Sequence, residues 1–210
     1  MEAESSSQNW TGPSRLSTAS QMELLRLLVD RLAAKGVEAL IYLLGGAAAG
    51  IAYYPDGVDR RSSADIDARF TARSQVLAEA EAMAAELGLR PDWFNKGAEQ
   101  FLPPTGEPDG EVLMERGGVR VVVAPPRFLL AMKLRASRLG RDDEDIAVLI
   151  RVCGIKSVAE AEALVEEVYL GEEEIHPRGR SFIAAVFGEY QLSKADPPIT
   201  LPKVIDPECN

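Results

Sequence analysis

One long apolar run without a charged residue, from Ala39 to Tyr54, limits what this chain can fold into. It is shorter than the ~20 residues that a helix needs to cross a bilayer, and the adjacent Gly45 and Gly46 interrupt it. Residues 37–44 are apolar and bounded by glycine, which predicts a buried strand. Residues 47–54 favour a short helix that ends at the turn signal of residues 55–57. The run therefore predicts a strand, a glycine turn and a helix, and no membrane span.

Hydrophobic periodicity and turn signals predict the remaining elements. Ser20 is expected to cap the first helix, and the hairpin is predicted around Gly117 and Gly118. Residues 91–110 are rich in proline and glycine and are expected to form a long loop. Helices are predicted at about 21–35, 47–54, 73–87, 127–139, 142–152, 158–169 and 179–190, and strands at 37–44, 64–70, 112–115 and 119–123. This order predicts an α/β (α+β) fold, with a small mixed β-sheet followed by a helical C-terminal half.

The 210 residues are enough for one domain. We expect a disordered, serine-rich tail over residues 1–18, a mixed core over 19–124, a helical region over 125–190 and a proline-rich tail over 191–210. The net charge of −10 argues against a surface that coats nucleic acid, although a local basic site remains compatible with it. Two cysteines are too few for a secreted disulfide scaffold, and the N-terminus lacks an apolar signal segment. A cytoplasmic location is therefore predicted.

Asp65 and Asp67 lie two residues apart on a predicted strand, with Ile66 between them. Residues i and i+2 of a strand point to the same face, so both carboxylates should project together. Two like charges this close repel each other, and a hard divalent cation such as Mg²⁺ relieves the repulsion. The alternative is a solvated edge strand with two surface acids.

Two further features lie where they could serve a phosphate ligand. Gly45 and Gly46 end an apolar strand just before a helix, whose free N–H groups attract anions. Lys133 lies among apolar residues of a predicted helix and is followed by several arginines. Either feature alone has an ordinary explanation: plain turn chemistry for the glycines, and a lysine whose stem packs on an apolar face.

Taken in order along the chain, these features resemble a known family. The motifs are Gly45-Gly46-Ala47, Arg61-Ser62-Ser63-Ala64-Asp65-Ile66-Asp67, Leu130-Ala131-Met132-Lys133-Leu134 and Arg141-Asp142-x-x-Asp145-Ile146. They resemble the AbiE-type nucleotidyltransferases of the polymerase-β superfamily, most closely the mycobacterial nucleotidyltransferase toxins of the MenAT toxin–antitoxin systems. The segment Asp92-Trp93-Phe94-Asn95 also looks like an internal motif of related nucleotidyltransferases.

The resemblance implies a role for each matching position. Asp65 and Asp67 would hold Mg²⁺, and Gly45 and Gly46 would let the helix start cradle the triphosphate of a nucleoside triphosphate. Lys133 would contact that triphosphate. Three further implied positions are Arg61 and Ser63 beside the metal site, and Asp145, or else Asp142, as the acid that completes the site.

The sequence departs from the superfamily pattern at two points. The glycine motif often reads Gly-Ser, whereas this chain has Gly-Gly-Ala and lacks the hydroxyl. The third acid that is usual on a later strand is missing from residues 119–123, although Glu111 and Glu115 lie nearby. A catalytically degenerate nucleotide-binding module is therefore an open alternative.

The toxin branch implies transfer of a nucleotide, from CTP or UTP, to the 3′ end of tRNA, which would block aminoacylation and translation. Residues 127–156 carry an excess of basic over acidic side chains, as a site for an RNA backbone requires. Residues 157–174 carry many glutamates and no cation, which is typical of a solvated helix or of a docking surface for a basic antitoxin. A transferase that modifies a small molecule or a protein, including itself at Ser63, is the enzymatic alternative.

Overall fold

A computed structural model describes residues 15–54, 62–136, 138, 141–171, 180–181, 183–185 and 187. The strands are β1 (Leu16–Ser17), β2 (Ala39–Leu43), β3 (Ser62–Ser63), β4 (Ile66–Phe70), β5 (Phe94–Asn95), β6 (Glu111–Arg116) and β7 (Val119–Val123). The helices are α1 (Thr18–Ala34), α2 (Gly45–Tyr53), α3 (Arg73–Leu87), α4 (Pro126–Ala136), α5 (Asp143–Cys153) and α6 (Val158–Tyr169). A 3₁₀ turn covers Gly97–Phe101. The predicted α+β class is confirmed.

The main sheet is mixed and has the strand order β5-β4-β2-β7-β6. The central strand β2 runs antiparallel to β4 and parallel to β7. At the two edges, β5 runs parallel to β4, and β6 forms the predicted hairpin with β7. The segment that follows β2 is α2, so the apolar run leads from the centre of the sheet directly into a helix start.

The apolar run is buried because both of its elements lie inside the hydrophobic core. Ile41 and Leu43 of β2 are fully buried, as are Ala48 and Ala49 of α2. Helix α1 contributes its leucines to the same core and packs against α3. In the part of the chain that the structure describes, no helix is both long and apolar enough to span a membrane.

The N-terminal end of the fold differs from the prediction. Ser17, not Ser20, caps α1, and the backbone N–H of Ser20 donates to the Ser17 Oγ at 3.1 Å. Leu16 and Ser17 also pair with β3, so residues 15–18 are structured rather than part of a disordered tail. Sequence patterning missed this pairing because β1 and β3 have two residues each and are far apart in the chain. Residues 1–14 lie outside the described residues.

The predicted loop over residues 91–110 contains two short elements, β5 and the 3₁₀ turn. Aromatic side chains anchor it: Trp93 is 1% exposed, and its Nε1 donates to the carbonyl of Ala80 at 2.9 Å. The ring of Phe94 lies 5.3 Å from that of Phe70 on β4. The aromatic contacts therefore add an edge strand beside β4.

The helical half follows the prediction closely, except that α4 ends at Ala136 rather than at about 139. Ser157 caps α6 as expected, since its Oγ accepts from the backbone N–H of Glu160 at 3.2 Å. Helix α4 packs against α5 and α6. The last predicted helix, at about 179–190, is described only at six positions between 180 and 187, which are helical. The tail over 191–210 lies outside the described residues.

Candidate functional site

The two aspartates meet in one cleft at the start of β4. Ile66 between them is fully buried, while Asp65 and Asp67 both line a cavity of about 730 Å³. Asp67 lies in register with Asn95 on β5. Ile66 therefore points into the core and both acids line the cleft, as the sequence predicts, but the strand begins at Ile66 rather than at residue 64, so Asp65 directly precedes β4.

The surroundings of Asp67 disfavour its ionised form. Burial raises its pKa from 3.8 to about 6, and the charge of Asp65 adds to the rise. The opposing effects are a hydrogen bond from the Ala98 N–H, 3.2 Å from Oδ1, and the positive charges of Arg138 and Arg141. The charge of Asp65 therefore adds to the cost of ionising Asp67, and a cation between the two would relieve that cost.

Asp65 is held by two polar neighbours. The side-chain amide of Asn95 donates to its Oδ2 at 3.0 Å, and the Ser63 hydroxyl lies 3.4 Å from its Oδ1. Asn95 is itself fixed, since its amide nitrogen also donates to the Asp92 carbonyl and its Oδ1 accepts from the Gly97 N–H. The sequence prediction gave Asn95 no role, and the only signal was its place at the end of the 92–95 motif.

Gly45 is required where α2 begins beside Asp67. Its φ of +66° favours glycine, and a Cβ on it would lie 2.7 Å from the Asp67 Oδ2. The N–H of Leu44 donates to the backbone carbonyl of Asp67 at 2.9 Å, which ties this helix start to β4. No side chain caps α2, and Gly46 lines the cleft. Backbone N–H groups of α2 therefore border the cleft next to the aspartates.

Lys133, for which the family resemblance implies a contact with the triphosphate, is buried outside the lining of the cleft. It is 4% exposed and does not line the cleft. Its Nζ lies 2.9 Å from the Asp142 Oδ1 and 2.6 Å from the Asp145 Oδ2. Asp145 is fully buried, and it also accepts a hydrogen bond from the Tyr54 hydroxyl at 2.9 Å. Lys133 and Asp145 thus form a buried ion pair between α4 and α5.

Asp142 belongs to both the buried ion pair and the cleft. Burial opposes its ionisation, but the charges and hydrogen bonds of Lys133 and Arg138 outweigh burial and hold its pKa below the usual range. Arg138 Nε donates to the Asp142 Oδ2 at 3.0 Å. The arginines that line the cleft are Arg15, Arg90, Arg138 and Arg141.

These arginines differ in their partners, because only some of them form an ion pair with an acidic side chain. Arg15 donates to Ser62, and Arg90 is paired with Asp92. Among the described residues, Arg141 forms no ion pair within 4.0 Å. Arg61, which the resemblance places beside the metal, lies outside the described residues.

The residues at the start of β4 suit a magnesium ion. Within the described ranges, no group of three or more His, Cys, Asp or Glu side chains is placed to hold a metal. Mg²⁺, however, is commonly bound by one or two carboxylates together with substrate phosphates and water. Asp65 and Asp67 provide two such carboxylates in a cleft open to a ligand, and a cation beside them would offset both the burial and the Asp65 charge that raise the pKa of Asp67.

Comparison with known proteins adds no assignment: no family model, curated protein or solved structure matches the chain. The resemblance to the AbiE-type family therefore remains a prediction. What the protein does must be inferred from the chemistry of the cleft, which combines two adjacent carboxylates, a helix N-terminus and arginines.

Proposed function

We propose that this protein is a Mg²⁺-dependent nucleotidyltransferase. One observation carries the proposal: Asp65 and Asp67 share a cleft with the start of α2 and with Arg138 and Arg141. A nucleoside triphosphate requires this combination, because its phosphates need a divalent cation, N–H donors and positive charge. The buried position of Ile66 and the fit of Gly45 against Asp67 support the same assignment, since both fix the acids relative to α2.

Nucleotidyl transfer is an in-line displacement at the α-phosphorus, with pyrophosphate as the leaving group. Mg²⁺, held by Asp65 and Asp67, would stabilise the charge on the attacking and leaving oxygens. The N–H groups at Gly46 and the start of α2 would take up phosphate oxygens. The guanidinium groups of Arg138 and Arg141 would offset the charge of the departing pyrophosphate.

For the acceptor we propose the 3′ end of tRNA, in keeping with the resemblance to the toxin branch. Beside five acidic side chains, the lining of the cleft includes two further arginines, Arg15 and Arg90. A nucleic acid acceptor brings phosphates of its own, which such residues attract. As a toxin, the protein would block aminoacylation and would be countered by a cognate antitoxin protein.

The direct test is transfer of radiolabelled nucleotide, with CTP and UTP tried first, to tRNA in the presence of MgCl₂. We expect label at the tRNA 3′ end and a loss of more than about 100-fold in Asp65→Ala, because the metal site would be lost. Asp109→Ala, a change of an exposed acid that does not line the cleft, is the matched control and should keep full activity. Full activity of Asp65→Ala, with an unchanged circular dichroism spectrum, would show that the metal assignment is wrong.

A second acceptor has a specific observation in its favour. The Ser63 hydroxyl lies 3.4 Å from the Asp65 Oδ1, so a nucleotide bound at the aspartates would have this hydroxyl nearby. Transfer to Ser63 would label the protein itself, and Ser63→Ala would remove that label. Label on the protein with tRNA untouched would favour this candidate. Bound nucleotide with no transfer to any acceptor would favour a non-catalytic module.

A further inference from the structure

The position of Lys133 does not suit a residue that touches a ligand. Both of its acidic partners are buried: Asp142 is 2% exposed and Asp145 is fully buried. If Lys133 turned towards a bound phosphate, these two carboxylates would lose the cation that compensates their burial. The two ion pairs at 2.9 Å and 2.6 Å therefore favour a lysine that stays where it is.

Lys133 is connected to the cleft through one neighbouring residue, Asp142. Asp142 uses Oδ1 for Lys133 and Oδ2 for Arg138, so one carboxylate bridges the buried lysine and an arginine of the cleft. The guanidinium of Arg138 also lies over the ring of Phe101, 5.8 Å from its centroid. Asp142 engages the Nε of Arg138, and among the described residues no acceptor takes the N–H groups of its two terminal guanidinium nitrogens, which can therefore meet a ligand.

We infer that Lys133 is a positioning residue: it fixes Asp142, Asp142 fixes Arg138, and the guanidinium of Arg138 is the group that meets the phosphates of the ligand. This role rests on the proposed nucleotide transfer, and it differs from direct contact between Lys133 and the triphosphate. Arg138 suits the task because its guanidinium is planar, stays charged and matches phosphate geometry. Its side chain is 39% exposed, whereas that of Lys133 is 5% exposed.

The first experiment measures the affinity of the four nucleoside triphosphates with MgCl₂ by isothermal titration calorimetry. Arg138→Ala, measured at a temperature where circular dichroism shows a folded protein, should weaken binding about tenfold or more. Asp142→Asn, measured at a temperature where circular dichroism shows a folded protein, should weaken binding as well. Arg127→Ala is the matched control: this arginine of α4 pairs with Glu167 outside the cleft, and its loss should leave affinity unchanged.

The decisive comparison is the double variant. If Asp142 acts through Arg138, Asp142→Asn should have no further effect on affinity in the Arg138→Ala background. Lys133→Met should show the same non-additivity. Additive losses would overturn the positioning role. Absence of nucleotide binding by the unmodified protein would instead refute the proposed function and this role together.

Lys133→Met leaves two buried carboxylates without their cation and could fail to fold, so a second measurement uses the unmodified protein. Reductive methylation followed by mass spectrometry reports which lysines are open to solvent. Lys133 should stay unmethylated with and without CTP and MgCl₂. Methylation of Lys133 in the free protein, with protection by CTP, would show that it is an accessible phosphate contact and would overturn the inference.

Discussion

Asp67→Asn should stabilise the ligand-free protein while it removes the proposed metal site. Asp67 is ionised at neutral pH in a partly buried position beside Asp65, and this raises its pKa from 3.8 to about 6. An asparagine carries no charge to desolvate and none to repel Asp65, and its Oδ1 can still accept from the Ala98 N–H. The substitution therefore removes an unfavourable interaction and keeps a favourable one.

The size of the effect follows from the pKa of Asp67. A rise from 3.8 to about 6 corresponds to about 3 kcal/mol, at about 1.4 kcal/mol for each pH unit. Water in the cleft screens part of the charge, so we expect a gain of about 1–3 kcal/mol in the free energy of unfolding at pH 7.5. Because the folded-state pKa is raised, the cost of the ionised Asp67 is absent below pH 3.8, grows as the pH rises, and is complete above about 6. The gain from Asp67→Asn should therefore shrink to below about 1 kcal/mol at pH 4.5.

The assay is urea unfolding in EDTA, followed by circular dichroism at pH 7.5 and pH 4.5. Asp142→Asn is the matched control from the same cleft, with the opposite sign. Its pKa is held low by Lys133 and Arg138, so its charge stabilises the fold, and the variant should lose about 1–3 kcal/mol at pH 7.5. That loss should decrease as the pH falls through the folded-state pKa of Asp142.

Two results would refute the reasoning on Asp67. One is an Asp67→Asn variant that is no more stable than the unmodified protein at pH 7.5, which would mean that the ionised carboxylate of Asp67 does not destabilise the fold. The other is a gain that is the same at both pH values, which would trace the effect to packing instead of charge. Addition of MgCl₂ together with a nucleoside triphosphate gives a further check, because the pair should stabilise the unmodified protein and leave Asp67→Asn unchanged.

Two other substitutions probe the surroundings of the aspartates. Gly45→Ala should lower the free energy of unfolding by more than about 2 kcal/mol and abolish nucleotide binding, because the new Cβ would lie 2.7 Å from the Asp67 Oδ2. Gly36→Ala is the control, since Gly36 has a similar φ of +65° but nothing within 4 Å of a new Cβ. It should lower the free energy of unfolding by only about 1 kcal/mol, measured by urea unfolding, and should keep nucleotide binding. Asn95→Ala should weaken Mg²⁺ binding about tenfold in a calorimetric titration with nucleotide, because Asp65 loses the amide that orients it, and unchanged affinity would show that Asn95 is dispensable.

Local sequence signals were sufficient for the elements that carry the aspartates. The alternation of Asp65, Ile66 and Asp67 predicted which side chains leave the core, although Asp65 lies just before β4 and not within it. Helix α3 begins and ends where its composition and Gly88 predicted, since Gly88 adopts the left-handed conformation that ends a helix. These features need no knowledge of distant parts of the chain.

Long-range contacts explain what the sequence could not predict. The pairing of Leu16 with Ser63 joins two-residue strands that carry no periodicity of their own. Asn95 reaches Asp65 only because β5 joins the edge of the sheet beside β4. The amphipathic pattern of α4 placed Lys133 beside apolar residues, but it could not show that the N-cap residue and a first-turn acid of α5 both pair with it.

The surroundings of Asp67 and Asp142 indicate different roles for these two acids, although the family resemblance counts both as site residues. Asp67 has a raised pKa, so its charge opposes folding and favours a bound cation, whereas the charge of Asp142 is already compensated by protein cations. Asp145 resembles Asp142 in this respect, because it lies fully buried against Lys133 and Tyr54. We therefore expect the remaining anionic oxygens around the metal to come from the nucleotide phosphates rather than from Asp145. On this view metal and nucleotide bind together, and Mg²⁺ affinity without nucleotide should be weak.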